Sequence, residues 1–571
     1  MASSVSTSGA ITFTGLGSGT DFDSIIEQLI EVETAYRVTP LEEWKATWEE
    51  KIEAFQELNT QMLALQTALE AIDTKGEFLV KTATSSDTTV LSATAGADAG
   101  VESHTIEVER LAQNAIMVTD NGYSSATQTI NTSGAARIFA YEYAGETYSV
   151  TVPIGATLTD LKNIINNDGD NPGVKAAIIN DGSSYYLQLR GMDTGDDATL
   201  AISATTTLAG FSSADFTTTQ TNQDALLKVD GWPTGTTVPD DYISRSSNTI
   251  DDLIDGVTLN LRGEGTITLT TEVDTEAVKA NIETFVEQVN LVRTMILDLT
   301  KVDTTAISSV TTSEDTTQTT GGSVLTGNYG IQLISSRLKD ITASTGIGFD
   351  WDLDTYTSLS SIGITTDADE GSATQGLLII DEDVLDAALE NDIDSVAALF
   401  SADYEGSTNS SDFSYQSHIT GITEAGTYEV AYTVSGGAIT SATINGNAAT
   451  ISGNTITGQY GNPESGLVLE VKNLTNGSYT GKAYMKLGKT GEMVDALGDL
   501  TNSTSGPLAI LEENYNDIID GIDDKIADEE ERIALKESRL REKYARLEAL
   551  LGYYEDLSTS LESQIDNLGT D

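Results

Sequence analysis

The chain contains few residues of the kinds that carry enzyme chemistry. Its 571 residues include two histidines, His104 and His418, and no cysteine. Both histidines fall in segments with strand patterns, so a Ser-His-Asp triad would need one of them and an acid distant in sequence. The absence of cysteine excludes thiolate nucleophiles, disulfides and cysteine-based metal sites. We therefore interpret both histidines as surface residues without a catalytic role.

Two glycine-containing stretches superficially resemble phosphate-binding loops. Gly488–Thr490 ends a pattern close to the P-loop, but Ala483 stands where the first glycine is required, and the flanks read as a hairpin. The run Gly15–Gly19 alternates glycine with other residues, follows no predicted strand and lacks the Lys-Ser/Thr pair. Neither stretch predicts a nucleotide site.

An aspartate-rich stretch begins like a calcium-binding loop. Asp350, Asp352 and Asp354 occupy the first three ligand positions, but the sixth position is Thr355 instead of glycine and the twelfth is Ser361. We interpret this stretch as a solvated turn. The sequence thus predicts no enzyme, no cofactor and no metal site.

The charge is strongly acidic, which limits the classes of partner. The chain has 29 basic and 89 acidic side chains and a formal net charge of −60. Nucleic acids and anionic membranes both require clustered Lys and Arg, so neither is expected as a partner. No apolar stretch of about 18 residues is present, which excludes membrane insertion by a helix. The start, residues 1–9, has neither the charged nor the apolar region of a signal peptide.

The two ends of the chain carry long helical patterns. From Tyr515 to Leu568, apolar residues recur with the alternating 3–4 spacing of helices that pack against helices, although Glu529, Lys536 and Lys543 interrupt it. A matching pattern runs from Leu41 to Ile72.

A second N-terminal pattern precedes Pro40 and is out of phase with the first, and Pro40 is expected to interrupt or kink the helix. Asp21 or Asp23 is expected to cap its start. The inner parts of both ends can form an ordinary helix pair within the chain. The outer parts, before Pro40 and after Tyr544, are expected to pack against other molecules. The predicted partner-binding residues are Phe22, Ile25, Leu29, Val32, Tyr36, Leu547, Leu550, Tyr554, Leu557, Leu561 and Leu568.

The middle of the chain alternates between strand and helix patterns. Short alternating runs predict strands, among them Val90–Ala95, His104–Glu109, Arg137–Tyr143, Val174–Ile179, Ala225–Val229 and Val257–Leu261. Helices are predicted at Leu158–Asn166, from Thr275 to Leu299, at Gly330–Leu338 and at Asp383–Phe400. Thr304–Thr320 is expected to be a mobile loop. Residues 401–490 predict a separate β insertion.

The predicted fold class is multidomain α+β, in which N- and C-terminal helices form a coiled-coil leg and nested β-rich head domains are looped out between them. The predicted domains are leg segments 1–40 with 545–571; a helical stem of 41–76, 273–400 and 491–544; a β-rich head of 77–115 and 220–272; an outer β-rich domain 116–219; and the β insertion 401–490.

Several motifs, taken together, resemble those of the flagellar filament cap protein family, also called hook-associated protein 2. The stretch Thr14–Asp21 resembles the opening motif of the family, although Thr20 stands where an apolar residue is usual. The most distinctive similarities are Asp224-Ala225, Val229–Gly231, Arg245–Ile250 and Gly256–Leu259. A repeat shared by flagellin and hook proteins is similar to Thr157-Leu158, Leu161, Ile164–Asn166, Gly173-Val174, Ala176 and Asn180–Gly182. The acidic surface and the block 401–490 depart from the family pattern.

The resemblance implies a structural protein that caps the distal tip of the bacterial flagellar filament, holds exported flagellin and promotes its folding and insertion. It implies a ring-like homo-oligomer, expected to be a pentamer, with flagellin, hook-filament junction proteins and an export chaperone as further partners. It also implies export by the flagellar type III system without a cleaved signal peptide, and an extracellular location at the filament tip.

Two alternatives remain at this point. One is a surface adhesin that acts through the β head domains. The other is a different flagellar axial subunit, such as a junction protein or flagellin, although Val229–Gly231 and Arg245–Ile250 argue against it.

Overall fold

The computed structural model describes residues 21–301 and 323–568, with side chains as far as Ile565. The opening motif before Asp21 and the predicted loop Thr304–Thr320 lie outside the described residues. The chain divides into two compact units, Met1–Lys75 with Asn281–Asp571 and Gly76–Ala280. Helices α3 (Lys75–Phe78) and α5 (Thr275–Thr300) contain the two points at which the chain passes between the units.

The first unit contains the terminal helices. They are α1 (Phe22–Arg37), α2 (Thr39–Glu70) and α9 (Pro507–Leu568), which has 62 residues. Helices α6 (Tyr329–Ala343), α7 (Glu382–Ser401) and α8 (Lys489–Leu500) complete this helical part. The predicted helix at Asp383–Phe400 is present but not continuous, because Asp392 has non-helical backbone angles. Its side chain accepts a hydrogen bond from the Ser395 amide and restarts the helix.

Residues 403–487 of the same unit form two antiparallel sheets. Their strands are β18 (Asp403–Thr408), β19 (Phe413–Ser417), β20 (Gly426–Ser435), β21 (Ala438–Ile444), β22 (Asn447–Ala448), β23 (Thr450–Ser452), β24 (Thr455–Thr457), β25 (Val468–Val471) and β26 (Gly477–Leu487). The sheet orders are β18-β26-β20-β21-β22 and β19-β25-β24-β23. Alternate side chains of both sheets form one core, which includes Phe413, Tyr432 and Leu469. The hairpin β16 (Ile364–Thr366) and β17 (Leu378–Ile380) lies earlier in the chain.

The second unit contains a first pair of sheets with a shared core. Their strands are β1 (Lys81–Ser85), β2 (Leu91–Ala95), β3 (Ser103–Arg110), β11 (Ala225–Val229), β12 (Ile243–Arg245), β13 (Thr249–Ile254), β14 (Val257–Leu261) and β15 (Gly265–Val273). The orders are β1-β15-β3-β11-β12 and β13-β14-β2. Leu91, Ile106, Leu227 and Leu259 are fully buried in this core.

A second pair of sheets is inserted between β3 and β11. Its strands are β4 (Ile116–Thr119), β5 (Arg137–Tyr143), β6 (Glu146–Val152), β7 (Val174–Asn180), β8 (Tyr185–Gly191), β9 (Leu200–Ile202) and β10 (Phe216–Gln220). The orders are β10-β4-β8-β7 and β6-β5-β9, and helix α4 (Leu158–Asn166) buries Leu158, Leu161 and Ile165 in the same core. Thr157 and Asp160 cap this helix reciprocally, which explains why its predicted bounds are correct.

The distinctive sequence motifs of the second unit hold its turns together. The side chain of Asn248 accepts a hydrogen bond from the Ala112 amide and donates one to the Ala112 carbonyl, at 2.8 and 2.9 Å. Gly256 has φ +68, and a β-carbon there would lie 2.3 Å from the Ala99 nitrogen. Glycine is therefore required at this position by both conformation and space. These motif residues stabilise the fold and do not gather into a chemical site.

Structure also assigns a role to His104, which was expected to be a surface residue. Its side chain is 18% exposed, and Nδ1 lies 2.7 Å from Asp230 Oδ2 while Nε2 lies 3.2 Å from Glu102 Oε1. Asp230 Oδ1 accepts a hydrogen bond from the Thr105 amide, so the aspartate links the β11–β12 turn to β3. Burial alone lowers the pKa of His104, but the hydrogen bonds to Asp230 and Glu102 outweigh it and raise the pKa above its ordinary value.

We predict that Asp230→Asn lowers the pKa of His104, because asparagine can keep the Thr105 hydrogen bond but not the negative charge. Proton NMR titration checks this, since the chain has two histidines and His418 serves as the internal control. The raised pKa means that the charged histidine stabilises the fold fully below its unfolded pKa of about 6.5. That stability is lost as the pH rises through the folded value. An unchanged His104 titration in the variant would contradict the assignment.

Candidate interaction surface on the terminal helices

The start of α1 and the bend after it are both set by local sequence. Asp21 Oδ1 accepts a hydrogen bond from the Ser24 amide at 3.1 Å, so Asp21 is the cap that the sequence predicted. Helix α1 ends at Arg37, and Pro40 occupies the first turn of α2, where its missing N–H costs no helical hydrogen bond. The predicted interruption near Pro40 is therefore confirmed.

The inner parts of α2 and α9 pack against each other within the chain. Phe55, Leu58, Met62 and Leu65 of α2 are at most 1% exposed. The ring of Tyr515 lies between Trp48, at a centroid distance of 4.8 Å, and Phe55, at 5.3 Å. Its hydroxyl accepts a hydrogen bond from Asn328 Nδ2 at 2.9 Å, at the start of α6. Burial raises the pKa of Tyr515, and the hydrogen bond from Asn328 partly offsets that rise.

A series of ion pairs fixes the antiparallel alignment of α1 and α2 with α9. Lys45 Nζ lies 2.7 Å from Asp523 Oδ1, and Arg37 Nη1 lies 3.4 Å from Glu529 Oε2. Such solvated pairs contribute about 0–1 kcal/mol each to stability. These pairs mainly fix the axial alignment of the helices, because sliding α9 along its axis would bring like charges together.

Two further ion pairs continue the series along α1. Lys536 Nζ lies 2.7 Å from Glu33 Oε2, and Arg541 Nη1 lies 2.9 Å from Asp23 Oδ1. The hydrogen bond from Lys536, with one from Arg37, lowers the pKa of Glu33 below its ordinary value. The polar interruption at Lys536 thus has a partner within the chain.

The outer parts of the terminal helices meet along a narrow line. Phe22 stacks on Tyr544 with ring centroids 5.1 Å apart, and Ile26 is 2% exposed. The apolar pattern assigned to α1 did not include Ile26, although this residue lies beside Tyr544 and Glu548 of α9. Phe22, a predicted partner-binding residue, is thus already half-buried within the chain.

The remaining predicted partner-binding residues with described side chains are exposed. On α1 they are Ile25, Leu29, Val32 and Tyr36, and on α9 they are Leu547, Leu550, Tyr554, Leu557 and Leu561. The side chain of Leu568 lies outside the described residues. The pattern missed Tyr553 and Ile565, which are each 64% exposed on the same stretch of α9. From Tyr553 to Ile565, every described side chain of α9 is exposed.

These exposed residues form two apolar stripes, one along α1 and one on α9 from Leu547 onwards, which together we call the apolar surface of the terminal helices. Helix α1 begins beside Tyr544, so residues 545–568 of α9 continue beyond it, roughly 36 Å at 1.5 Å per residue. Large apolar residues repeated on one helical face are typical of surfaces that bind another helix. A groove of about 600 Å³ at the α1–α2 bend is lined mainly by charged side chains, including Arg37, Asp528 and Arg532. It is an open channel beside the apolar surface.

Two of the three short motifs have structural roles, and the third, Gly15–Gly19, lies outside the described residues. Gly488–Thr490 joins β26 to α8, a strand-to-helix connection, so the hairpin expected on its flanks was wrong. Lys489 is fully buried, and its Nζ donates to the Ile341 and Thr345 carbonyls and to Glu492 Oε2. It caps the end of α6 and cannot reach a phosphate in solvent.

The predicted turn at Asp350–Asp354 is held by β26. Asp350 Oδ2 accepts a hydrogen bond from the Tyr484 hydroxyl at 3.0 Å, and Asp354 pairs with Lys486. Within residues 21–301 and 323–568, no three His, Asp or Glu side chains gather into a group that could hold a metal ion. None of the helices described has the length and apolar composition needed to cross a membrane.

Comparison with known proteins gives a consistent result over most of the chain. A family model described as "Flagellar hook-associated protein 2 N-terminus" matches residues 18–115, and one described as "Flagellar hook-associated protein 2 C-terminus" matches residues 222–556. The unmatched stretch between them contains β4 to β10. The chain is 30% identical over 402 residues to flagellar hook-associated protein 2 of Escherichia coli K12, covering 69% of this chain and 81% of that protein.

Two further proteins are similar over most of their own length. The B-type flagellar hook-associated protein 2 of Pseudomonas aeruginosa is 27% identical over 406 residues, covering 68% of this chain and 80% of that protein. Among solved structures, the flagellar cap protein from Escherichia coli is 27% identical, covers 62% of this chain and 92% of its own chain, and has a TM-score of 0.47.

We predict that Tyr515→Ala lowers the free energy of unfolding of the helix pair by about 2–3 kcal/mol, because it removes the ring packed between Trp48 and Phe55. Tyr515→Phe should lower the free energy of unfolding by about 1 kcal/mol, because it removes only the hydrogen bond from Asn328. Urea unfolding followed by tryptophan fluorescence measures both.

Tyr36→Ala is the matched control, since that ring is 81% exposed, and it should change stability by less than about 0.5 kcal/mol. Equal losses for Tyr515→Ala and Tyr36→Ala would contradict the division between the covered and uncovered faces.

Proposed function

The chain belongs to the flagellar hook-associated protein 2 family, and we propose that it caps the distal tip of a flagellar filament. In this role it holds exported flagellin and promotes its folding and insertion at the growing end. The apolar surface at the ends of α1 and α9 is the observation that supports the proposal most directly, because a cap must grip neighbouring molecules without a covalent or enzymatic step. Family membership also confirms the prediction that the protein is structural and not an enzyme.

The exposed apolar residues on α1 and α9 are suited to reversible attachment. Ile25 and Leu29 on α1, and Leu557 and Leu561 on α9, are each 38–51% exposed. Partial burial of such residues in a neighbour releases free energy of about 25 cal/mol per Å² of apolar surface. Spread over a few side chains on slender helices, this supports binding that can be broken when the cap must move.

The proposal assigns partners to this surface. The chain forms a ring-like homo-oligomer, with a pentamer as the expectation, and its terminal helices contact flagellin and, at the start of assembly, the hook-filament junction proteins. An export chaperone covers the terminal helices before secretion through the flagellar type III system. An exposed helical stripe of this kind fits a partner that offers an amphipathic helix.

An adhesive role for the β sheets of residues 403–487 is the alternative. Tyr460 is 90% exposed there and Ile422 is 44% exposed. A glycan array probed with the full chain tests this role, and binding that survives removal of the terminal stripes would favour it.

We predict that deleting the gene releases monomeric flagellin into the medium and leaves cells with short filaments or none. Immunoblots of the medium and electron micrographs of the cells provide the measurement, and a plasmid copy should restore both. Normal filaments with no released flagellin would refute the cap function.

We also predict that Leu557→Asp with Leu561→Asp weakens attachment to filament tips without unfolding the β sheets. Charged side chains at these positions make burial in a neighbour costly, whereas they are solvated in the free chain. Tip binding is measured on purified filaments, and near-UV circular dichroism reports the fold. Ile451→Asp with Leu474→Asp, on exposed positions of the β block, is the matched control. Equal loss of binding in both variants would contradict a specific role for the terminal stripe.

A further inference from the structure

One exposed face of α9 carries two kinds of residue in succession. The face follows 3–4 spacing and is basic first and apolar afterwards. Its exposed residues are Arg532, Arg539, Lys543, Arg546, Leu550, Tyr553, Leu557, Leu561 and Ile565. We call this the α9 outer face. The arrangement matters because a partner helix must offer acidic residues at one end and apolar residues at the other.

The basic half stands out in a chain whose net charge is −60. Arg532 pairs with Glu529 and Arg546 with Glu542, both on the same helix, and the two arginine side chains remain 64% and 79% exposed. Arg539 and Lys543 form no ion pair with any residue in the described part of the chain. The charges of this half are therefore available to another molecule.

The outer side of α1 and α2 shows the complementary order. Its exposed apolar residues on α1 are Ile25, Leu29, Val32 and Tyr36. Exposed glutamates follow on α2 at seven-residue spacing, namely Glu43, Glu50 and Glu57. None of these glutamates forms an ion pair among residues 21–301 and 323–568. We call this the α1–α2 outer face.

The two outer faces match in a single antiparallel alignment. We propose that the α9 outer face of one copy packs against the α1–α2 outer face of a second copy of this chain. In this alignment Glu43 meets Arg546, Glu50 meets Arg539 and Glu57 meets Arg532. The same alignment brings together the apolar pairs Tyr36 with Tyr553, Val32 with Leu557, Leu29 with Leu561 and Ile25 with Ile565. The inference rests on the proposed function, in which several copies assemble, and it names the surfaces that join them.

The contact cannot form within one chain. There, Arg37 lies opposite Glu529 and Phe22 opposite Tyr544. To meet Tyr553 of its own chain, Tyr36 would have to move along α9 from the level of Glu530. That distance is about 23 residues, or roughly 35 Å at 1.5 Å per residue. The second copy is therefore displaced along the helix axis by that distance. Because two different surfaces meet, the contact is heterologous and can add further copies in the same direction.

The apolar half and the charged half of the contact contribute differently to binding. Burial of the apolar pairs supplies attraction that does not depend on the position of charges. The glutamate–arginine pairs select the alignment, because an axial shift by half a heptad separates each glutamate from its arginine. Charges that flank the seam of a coiled coil choose its partner in the same way. Since these pairs are exposed, salt weakens them over a screening length of about 8 Å at physiological ionic strength.

Cysteine cross-linking tests the alignment directly, because the chain has no cysteine of its own. Purified Glu50→Cys protein is mixed with purified Arg539→Cys protein under mild oxidation, and disulfide-linked dimers are measured on a non-reducing gel. The matched control replaces Arg539→Cys with Arg532→Cys, one heptad and roughly 10 Å away. We expect several-fold more cross-linked dimer with Arg539→Cys. Equal yields with both partners, or no dimer while the unmodified chain assembles, would overturn the proposal.

Charge exchange gives a second, independent readout. Glu50→Arg and Arg539→Glu should each weaken assembly of the purified chain several-fold in sedimentation velocity, and the two changes in one chain should restore it. Restored assembly in the double variant shows that the single variants lost an ion pair and not their fold. Circular dichroism of each variant checks the fold. Loss without restoration contradicts this alignment and leaves the cap function intact. If the unmodified chain does not assemble at all, the proposed cap function fails with it.

Discussion

The structure depends on the unequal lengths of two antiparallel helical segments. Helices α1 and α2 together cover α9 from its beginning to Tyr544, and α9 then continues to Leu568. Apolar side chains on the inner part, such as Phe55 and Leu58, find partners in the same chain and form a core. Those beyond Tyr544 do not, among the residues described. The same heptad pattern therefore stabilises the fold at one end and leaves an exposed apolar surface at the other.

The β sheets and the connections to them are stabilised by contacts that do not involve α1 or α9. The second unit is held by its own cores and by motif contacts such as Asn248 with Ala112 and His104 with Asp230. In the first unit, Lys489 fastens the start of α8 to the end of α6, and Lys486 fastens β26 to Asp354. Because each of these contacts is local, changes on the exposed faces of α1 and α9 leave them intact. This independence is what a scaffold needs if its ends are to bind and release neighbours.

Much of this arrangement could be predicted from sequence because its signals are local or strongly periodic. The bounds of α4, the cap at Asp21 and the start of α9 at Pro507 follow from capping residues and heptads. The kink at Asp392 could not be predicted, since it depends on a side-chain hydrogen bond within an otherwise helical pattern. The burial of Ile26 could not be predicted either, since it depends on contacts with α9 residues more than 500 positions away in the sequence. The buried Lys489 was missed for the same reason, because the acceptors around it come from α6.

We propose that the uncovered end of α9 joins copies of this protein to their neighbours. Sedimentation velocity of the full chain, compared with a chain that ends at Glu548, measures this contribution. We expect concentration-dependent assembly of the full chain and its loss in the shortened one, with the same circular dichroism per residue in the β sheets. A full chain that remains a monomer at the highest attainable concentration, or a shortened chain that assembles equally well, would show that this end of α9 does not join the copies.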